Sequence, residues 1–136
     1  MHSHAADVSL EAEVLAPLAK ERAVLLTTFR RDGSPVATPV NLAVEGDHAY
    51  FRTYDAAGKA KRLRRNPTVE FAASTMRGKI TGPPHMGRAE LAQGDEAKHA
   101  AELIDRKHRI LQGVLVPAYH RLRGYQTLHF RLTPTQ

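Results

Sequence analysis

The sequence predicts a mostly β fold with flanking helices, in which six antiparallel strands close into a small barrel. Three features predict it. Short segments alternate apolar and polar side chains with the period of a strand. Turn signals, Asp32-Gly33 and Glu45-Gly46-Asp47 among them, separate these segments. Helical spacing is confined to a few stretches between them, and a barrel removes most of the edges that an open sheet leaves exposed.

Ser9 can cap a first helix in which Leu10, Val14, Leu15 and Leu18 share one side, with Glu11 and Glu13 near its positive start and Lys20 and Arg22 near its end. Pro17 bends or stops it. Ala23–Phe29 is rich in branched residues and reads as the first strand, and the Asp-Gly pair turns the chain back. The second strand is expected over residues 35–44. Pro35 and Pro39 remove donors from its ladder, which suits an edge or a bulged course whose backbone is partly free to meet something else. Residues 49–53 form the third strand and deliver the chain to a basic stretch ended by Pro67. Thr68–Ser74 is the fourth strand, with Val69, Phe71 and Ala73 on one face, and His85–Leu91, after a breaker-rich loop, is the fifth. Asp95 can cap a long helix to about Leu111, where Ala97, Ala101, Ile104, His108 and Leu111 trace the apolar stripe. Residues 114–119 interrupt that pattern, 120–124 make a short basic turn, and 125–132 are the sixth strand.

A chain of 136 residues fits one domain spanning 1–136, with residues 1–8 as a flexible lead. Without cysteine it has no disulfide framework, thiol chemistry or zinc-thiolate site. Its eight histidines include no pair at the helical spacing of an HExxH motif, so no metal site is expected. No signal pattern opens the chain and no apolar run nears the roughly 20 residues that span a bilayer, which fits a soluble cytoplasmic protein without membrane insertion. A net charge of +6 favours anionic partners: phosphate esters, polycarboxylates or nucleic acid. Aromatic residues make up 6% with no tryptophan, against a face that stacks single-stranded bases. No nucleophile elbow, GxGxxG or Walker motif is present.

The basic stretch holds the most specific chemistry. Ala56, Ala60, Leu63 and Pro67 give it one small apolar face that can dock on a sheet, while Lys59, Arg62 and Arg65 point elsewhere. Gly58 permits close backbone approach, and the helix start offers free N–H groups and a positive dipole end, to which Lys59 and Lys61 add full charges. Such a segment either faces water or holds a phosphate.

Several stretches in order carry a resemblance: Leu25-Leu26-Thr27-Thr28-Phe29, Asp32-Gly33-Ser34-Pro35, Thr38-Pro39-Val40, Tyr50-Phe51-Arg52-Thr53, Gly58-Lys59-Ala60-Lys61-Arg62 with Arg65-Asn66-Pro67, and Gly87-Arg88-Ala89. Together they resemble the pyridoxamine-phosphate-oxidase-like split-barrel flavoproteins, and within them the actinobacterial enzymes dependent on coenzyme F420, a deazaflavin. The similarity spans about residues 20–132 and lies in ordered spacing.

The resemblance implies a split-barrel homodimer with the cofactor in a groove between subunits. Thr38, Pro39, Val40 and Asn41 would border its ring, Phe51, Arg52 and Thr53 its ribityl chain and phosphate, and Gly58, Lys59, Lys61 and Arg62 would bind the phosphate. The implied activity is hydride transfer between reduced F420 and a small unsaturated or conjugated substrate. FMN is the alternative cofactor, and a basic nucleic-acid-binding module is the alternative of another class. The polyglutamate tail of F420 would meet Arg30, Arg31, Arg77, Lys79 or Arg88. The extra substrate-phosphate and C-terminal arginine motifs of the vitamin B6 oxidases are not found. No dedicated acid or base is required, because a deazaflavin carries the hydride chemistry in its own ring. Tyr50, Tyr54 and His85 could give a proton, beside plainer roles as wall, turn and strand-start residues.

Overall fold

The structure, a computed structural model, describes residues 9–112 and 126–135. Seven strands form one antiparallel sheet among these residues: β1 Ala23–Phe29, β2 Pro35–Val40, β3 Ala43–Glu45, β4 His48–Tyr54, β5 Thr68–Ser74, β6 His85–Leu91 and β7 Thr127–Pro134. Their order across the sheet is β2-β1-β5-β6-β7-β4-β3. Helices α1 Leu10–Leu15, α2 Gly58–Arg65 and α3 Gly94–Gln112 flank it.

Seven strands replace the expected six because residues 35–44 are one run in sequence and two strands in space. β2 pairs with β1, from Val24 opposite Val40 to Phe29 opposite Pro35, whereas β3 pairs with β4, from Ala43 opposite Tyr50 to Glu45 opposite His48. These are the two edges of the sheet. Only Asn41 and Leu42 separate β2 from β3, and three Cα steps reach about 11 Å at most. The sheet therefore curls until its edges come together at this corner. The two prolines sit in the edge strand β2, where lost donors cost no ladder.

Inside the curl, Val24, Leu26, Phe51, Phe71, Phe130 and Leu132 make the main core. A Cβ on Gly87 would lie 2.9 Å from Leu132 Cδ1 and 3.0 Å from Thr133 O, so the absent side chain lets β6 close on β7. α1 is capped by Ser9 Oγ, which accepts from the Ala12 amide at 3.1 Å, and it gives way at Pro17 to a single 3-10 turn, Ala16–Leu18. Leu15 and Leu18 dip into the core.

A second layer lies under α3, where Ala43 and Tyr50 meet Ala100 and Ile104. β4 thus serves both layers, which is why Ala49, Tyr50 and Phe51 are buried in succession. The inward face of α3 is turned from the expected stripe: Ala100 and Ile104 are covered, with Leu103 beside them, while Ala97, Ala101 and His108 are half-buried. Small Ala100 is what lets the helix approach Tyr50. The side chain of Leu111, the segments 114–119 and 120–124, and Tyr125 at the expected start of the last strand lie outside the described residues. Within the described residues no helix is long and apolar enough to cross a membrane, and no three His, Asp or Glu side chains gather as a metal site.

Candidate functional site

α2 begins without a side-chain cap. Ala57 stands at the cap position in extended conformation, and the first turn holds no acid. Its first amides and dipole therefore present positive charge with nothing from the protein to answer it. Ala60 and Leu63 are buried and seat the helix against β1 and β4, which fixes where its basic side chains go.

Arg62 Nε donates to Thr28 Oγ1 of β1 at 2.6 Å, a short charge-assisted bond. Its guanidinium lies back over the helix start: a Cβ on Gly58 would fall 2.7 Å from Arg62 Nη1. The space that Gly58 leaves open is thus occupied by Arg62. Burial, then Arg30 and Arg65, press the guanidinium below its usual range. Burial, with Arg62 adding to it, brings the Lys59 ammonium down to about 8. Among the described residues no carboxylate pairs with Lys59, Arg62, Arg30 or Arg65. Lys59 and Arg62 at an uncapped helix start, with Arg30 and Arg65 near enough to repel Arg62, make a locus for a compact multivalent anion such as phosphate.

β2 supplies a second set of groups. Thr38 and Val40 share the inner face with Leu26 and Val24, while Pro39 faces the other way and is exposed. Thr38 Oγ1 and Asn41 Oδ1 are buried without a hydrogen-bond partner. Thr38 lies opposite Leu26 and Val36 opposite Thr28, so Thr38 and Thr28 are diagonal neighbours, about 7–8 Å apart in such pairs. The phosphate locus and the orphaned Thr38 hydroxyl are therefore linked along one face.

Other residues expected at the site lie elsewhere. Phe51 is fully buried and stacked on Phe130 with centroids 5.5 Å apart, so a ligand could reach only its backbone. Arg52 points to the opposite face and pairs with Asp105 of α3 at 3.0 Å. Thr53 shares the face of Phe51 and is half-buried, and Lys61 is exposed. Of the five tail candidates, Arg30 belongs with Arg62, Arg88 pairs with Glu90 at 3.4 Å, and Arg31, Arg77 and Lys79 are exposed. Tyr50 is tied under α3, donating to Glu96 Oε2 at 3.1 Å, and its hydroxyl is pushed up to about 12 by burial and Glu96. His85 leans on the Phe71 ring, and Tyr54 ends β4. Thr28 is the residue holding Arg62 that sequence reasoning passed over. Its signal is a hydroxyl on the inner face of a strand whose other inner residues, Val24 and Leu26, are apolar.

The sequence model of the pyridoxamine 5'-phosphate oxidase family matches residues 10–135. The chain belongs to that family. No curated protein matches the sequence closely enough to lend it a role. Solved structures agree on the fold, a split barrel of the family's kind. An FAD-binding protein from Mesorhizobium loti is 21% identical with a TM-score of 0.62, covering 91% of this chain and 87% of its own. An F420 reductase is 18% identical with a TM-score of 0.62, covering 90% and 93%. The haem storage protein HutZ from Vibrio cholerae is 16% identical with a TM-score of 0.59, covering 92% and 91%. Proteins that share this fold are thus named for different cofactors, and side-chain detail must choose among them.

Proposed function

We propose that this chain is an oxidoreductase that holds coenzyme F420, its phosphate at the start of α2, and transfers hydride between the reduced deazaflavin and a small unsaturated or conjugated substrate. One observation carries the proposal: Lys59 stands at an uncapped helix start over which the Arg62 guanidinium folds back, neither has a carboxylate partner among the described residues, and Arg30 and Arg65 add repulsion to Arg62. Lys59 and Arg62 are half-buried, and cations drawn that far from water are normally paired; a phosphate supplies the pairing. The other end of the site fits as well. Thr38 offers a hydroxyl and Asn41 a carbonyl oxygen, both buried without partners, and flavin and deazaflavin rings carry carbonyl and imide N–H groups that complement them. Of the eleven cofactor residues read from the sequence, Gly58, Lys59, Arg62, Thr38 and Asn41 take direct roles in this reading.

When bound, a deazaflavin supplies the hydride chemistry; the chain's residues fix its phosphate, orient its ring and keep water away. Arg30 beside Arg62 favours F420 over FMN, because the longer tail brings further carboxylates to a surplus of arginine. The F420 reductase of the same fold supports this choice. FMN is the second reading, favoured by the FAD-binding neighbour, since one phosphate cradle serves either cofactor. A homodimer completes the reading: a second copy would cover the free side of β2 and the exposed Met76 and Ile80.

Titrating the protein with F420, FMN, haem and a short DNA duplex at two salt concentrations tests the proposal. Saturable micromolar F420 binding with weaker FMN binding is expected. Tighter FMN binding selects the second reading, and duplex binding that falls steeply with salt, with no cofactor bound, overturns both.

A further inference from the structure

On the α3 side of the molecule a second group of cations has no acid to meet. α3 and β3, with the residues just after the 3-10 turn, line an open cavity of about 230 Å³. Val44, Leu103 and Ile110 give it apolar walls, and Lys20, Arg106 and Lys107 bring three positive charges to it. No Asp or Glu lines it, and among the described residues none of the three forms an ion pair.

Lys107 is the unusual member. Its neighbours Arg106 and Arg109 are exposed, but Lys107 turns inward and its Nζ donates to the backbone carbonyl of Leu42, at the corner where β2 passes into β3. Burial lowers the ammonium to about 8, and Glu21 offsets this only in part and makes no direct contact. A carbonyl does not neutralise an ammonium. A half-buried cation with one neutral partner costs stability unless an anion joins it. The walls decide which anion. Inorganic phosphate would forfeit its hydration against Val44, Leu103 and Ile110 and gain little, whereas an acid with a hydrocarbon tail gains from both parts of the cavity. The volume lies below the roughly 300–1,000 Å³ of sites for drug-sized ligands, which limits the occupant to a small molecule.

We propose that this cavity is a binding site for a small amphipathic monocarboxylate, a short aliphatic or aryl-aliphatic acid whose carboxylate meets Lys107 between Lys20 and Arg106 and whose tail lies on Val44, Leu103 and Ile110. The site is separate from the α2 cluster and stands whether or not the cofactor reading does.

Calorimetric titration with octanoate, 1-octanol and inorganic phosphate tests it, with amide chemical shifts reporting the place. Octanoate should bind saturably and about tenfold or more tighter than either control, since each of them lacks half of the recognition. Amides of residues 42–44 and 103–110 should move. Lys107→Met keeps the apolar stem and removes the charge, and should reduce octanoate binding to the level of octanol. Ile110 is 73% exposed, so Ile110→Glu leaves the fold intact and should abolish octanoate binding by placing a like charge in the cavity. The proposal is overturned if octanol binds as tightly as octanoate, if phosphate competes equally, if shifts map elsewhere, if octanoate does not bind, or if Ile110→Glu binds unchanged.

Discussion

The faces presented by α2 and α3 are both rich in charge, yet their charges are organised in opposite ways. On the sheet-facing side of α3 Glu96, His99 and Asp105 each meet a partner from a strand. Arg131 of β7 reaches Glu96 at 2.6 Å and Glu90 at 3.7 Å, Arg52 of β4 reaches Asp105 at 3.0 Å, and His99 reaches Glu45 at 2.8 Å. His48 holds Asp47 through Nδ1 and Glu45 through Nε2. These contacts fasten a helix to a sheet. At the start of α2 Lys59 and Arg62 have each other and a threonine, and among the described residues no acid pairs with either. Charge that is balanced within the fold secures the fold, whereas charge left unbalanced at a fixed geometry is available to a ligand.

The sharpest way to break this contrast is to remove one charge from each face. Arg62→Ala should weaken cofactor binding by roughly ten- to a hundredfold, the worth of a charge-assisted hydrogen bond at about 1.5–3 kcal/mol. It should leave the melting temperature of the free protein unchanged or higher, since a repelled cation has gone. Thr28→Val should act through Arg62 and lower affinity by about 1 kcal/mol, with Thr28→Ser restoring it. Arg131→Ala should do the reverse, losing about 1 kcal/mol of stability for a pair that is only part-buried while leaving cofactor affinity as it was. Thermal melts and titrations on the same four variants check both halves. If Arg62→Ala destabilises and binds normally, the two faces are not different in kind.

A smaller effect follows from the buried lysines. Lys59 and Lys107 titrate near 8 in the folded chain against an ordinary value of 10.5. Between those values the unfolded chain holds more protons, so their linkage makes stability rise with pH; below pH 8 the cost of burying both charges is fully present. Above pH 10 Tyr50, raised to about 12, pulls the other way, because there the folded chain holds the extra proton. Urea melts from pH 7.5 to 10 should show a gentle rise, and a flat or falling profile would mean that neither lysine is effectively buried.

Much of this was legible in the sequence, for reasons that particular residues make plain. β1, β5 and β6 fall where the alternation places them, since each has one face on the core. The division of residues 35–44 was hidden because Val40, Leu42 and Val44 keep the period of two straight through the corner and face the same core. Only the partner strand changes, and alternation does not report partners. Gly58, Lys59 and Arg62 could be read from helical spacing on one short segment. Thr28 could not be joined to them, because its bond to Arg62 crosses 34 residues of sequence. Lys107 reads as one more charge on a solvated helix, since only the packing of α3 against β3 turns it inward. Phe51 and Arg52 came from the resemblance and share a strand, but the pleat sends one into the core and the other to α3.

The central claim is that the α2 cations are a phosphate site, and Lys59 reports on it directly. With labelled lysine, the Lys59 Cε resonance can be followed through a pH titration of the free protein and of the protein saturated with F420. We predict a midpoint of about 8 in the free protein, moving up to or beyond the ordinary 10.5 when a phosphate sits against the ammonium. A midpoint that is the same in both states, with F420 fully bound, would contradict the claim and place the cofactor elsewhere on the fold.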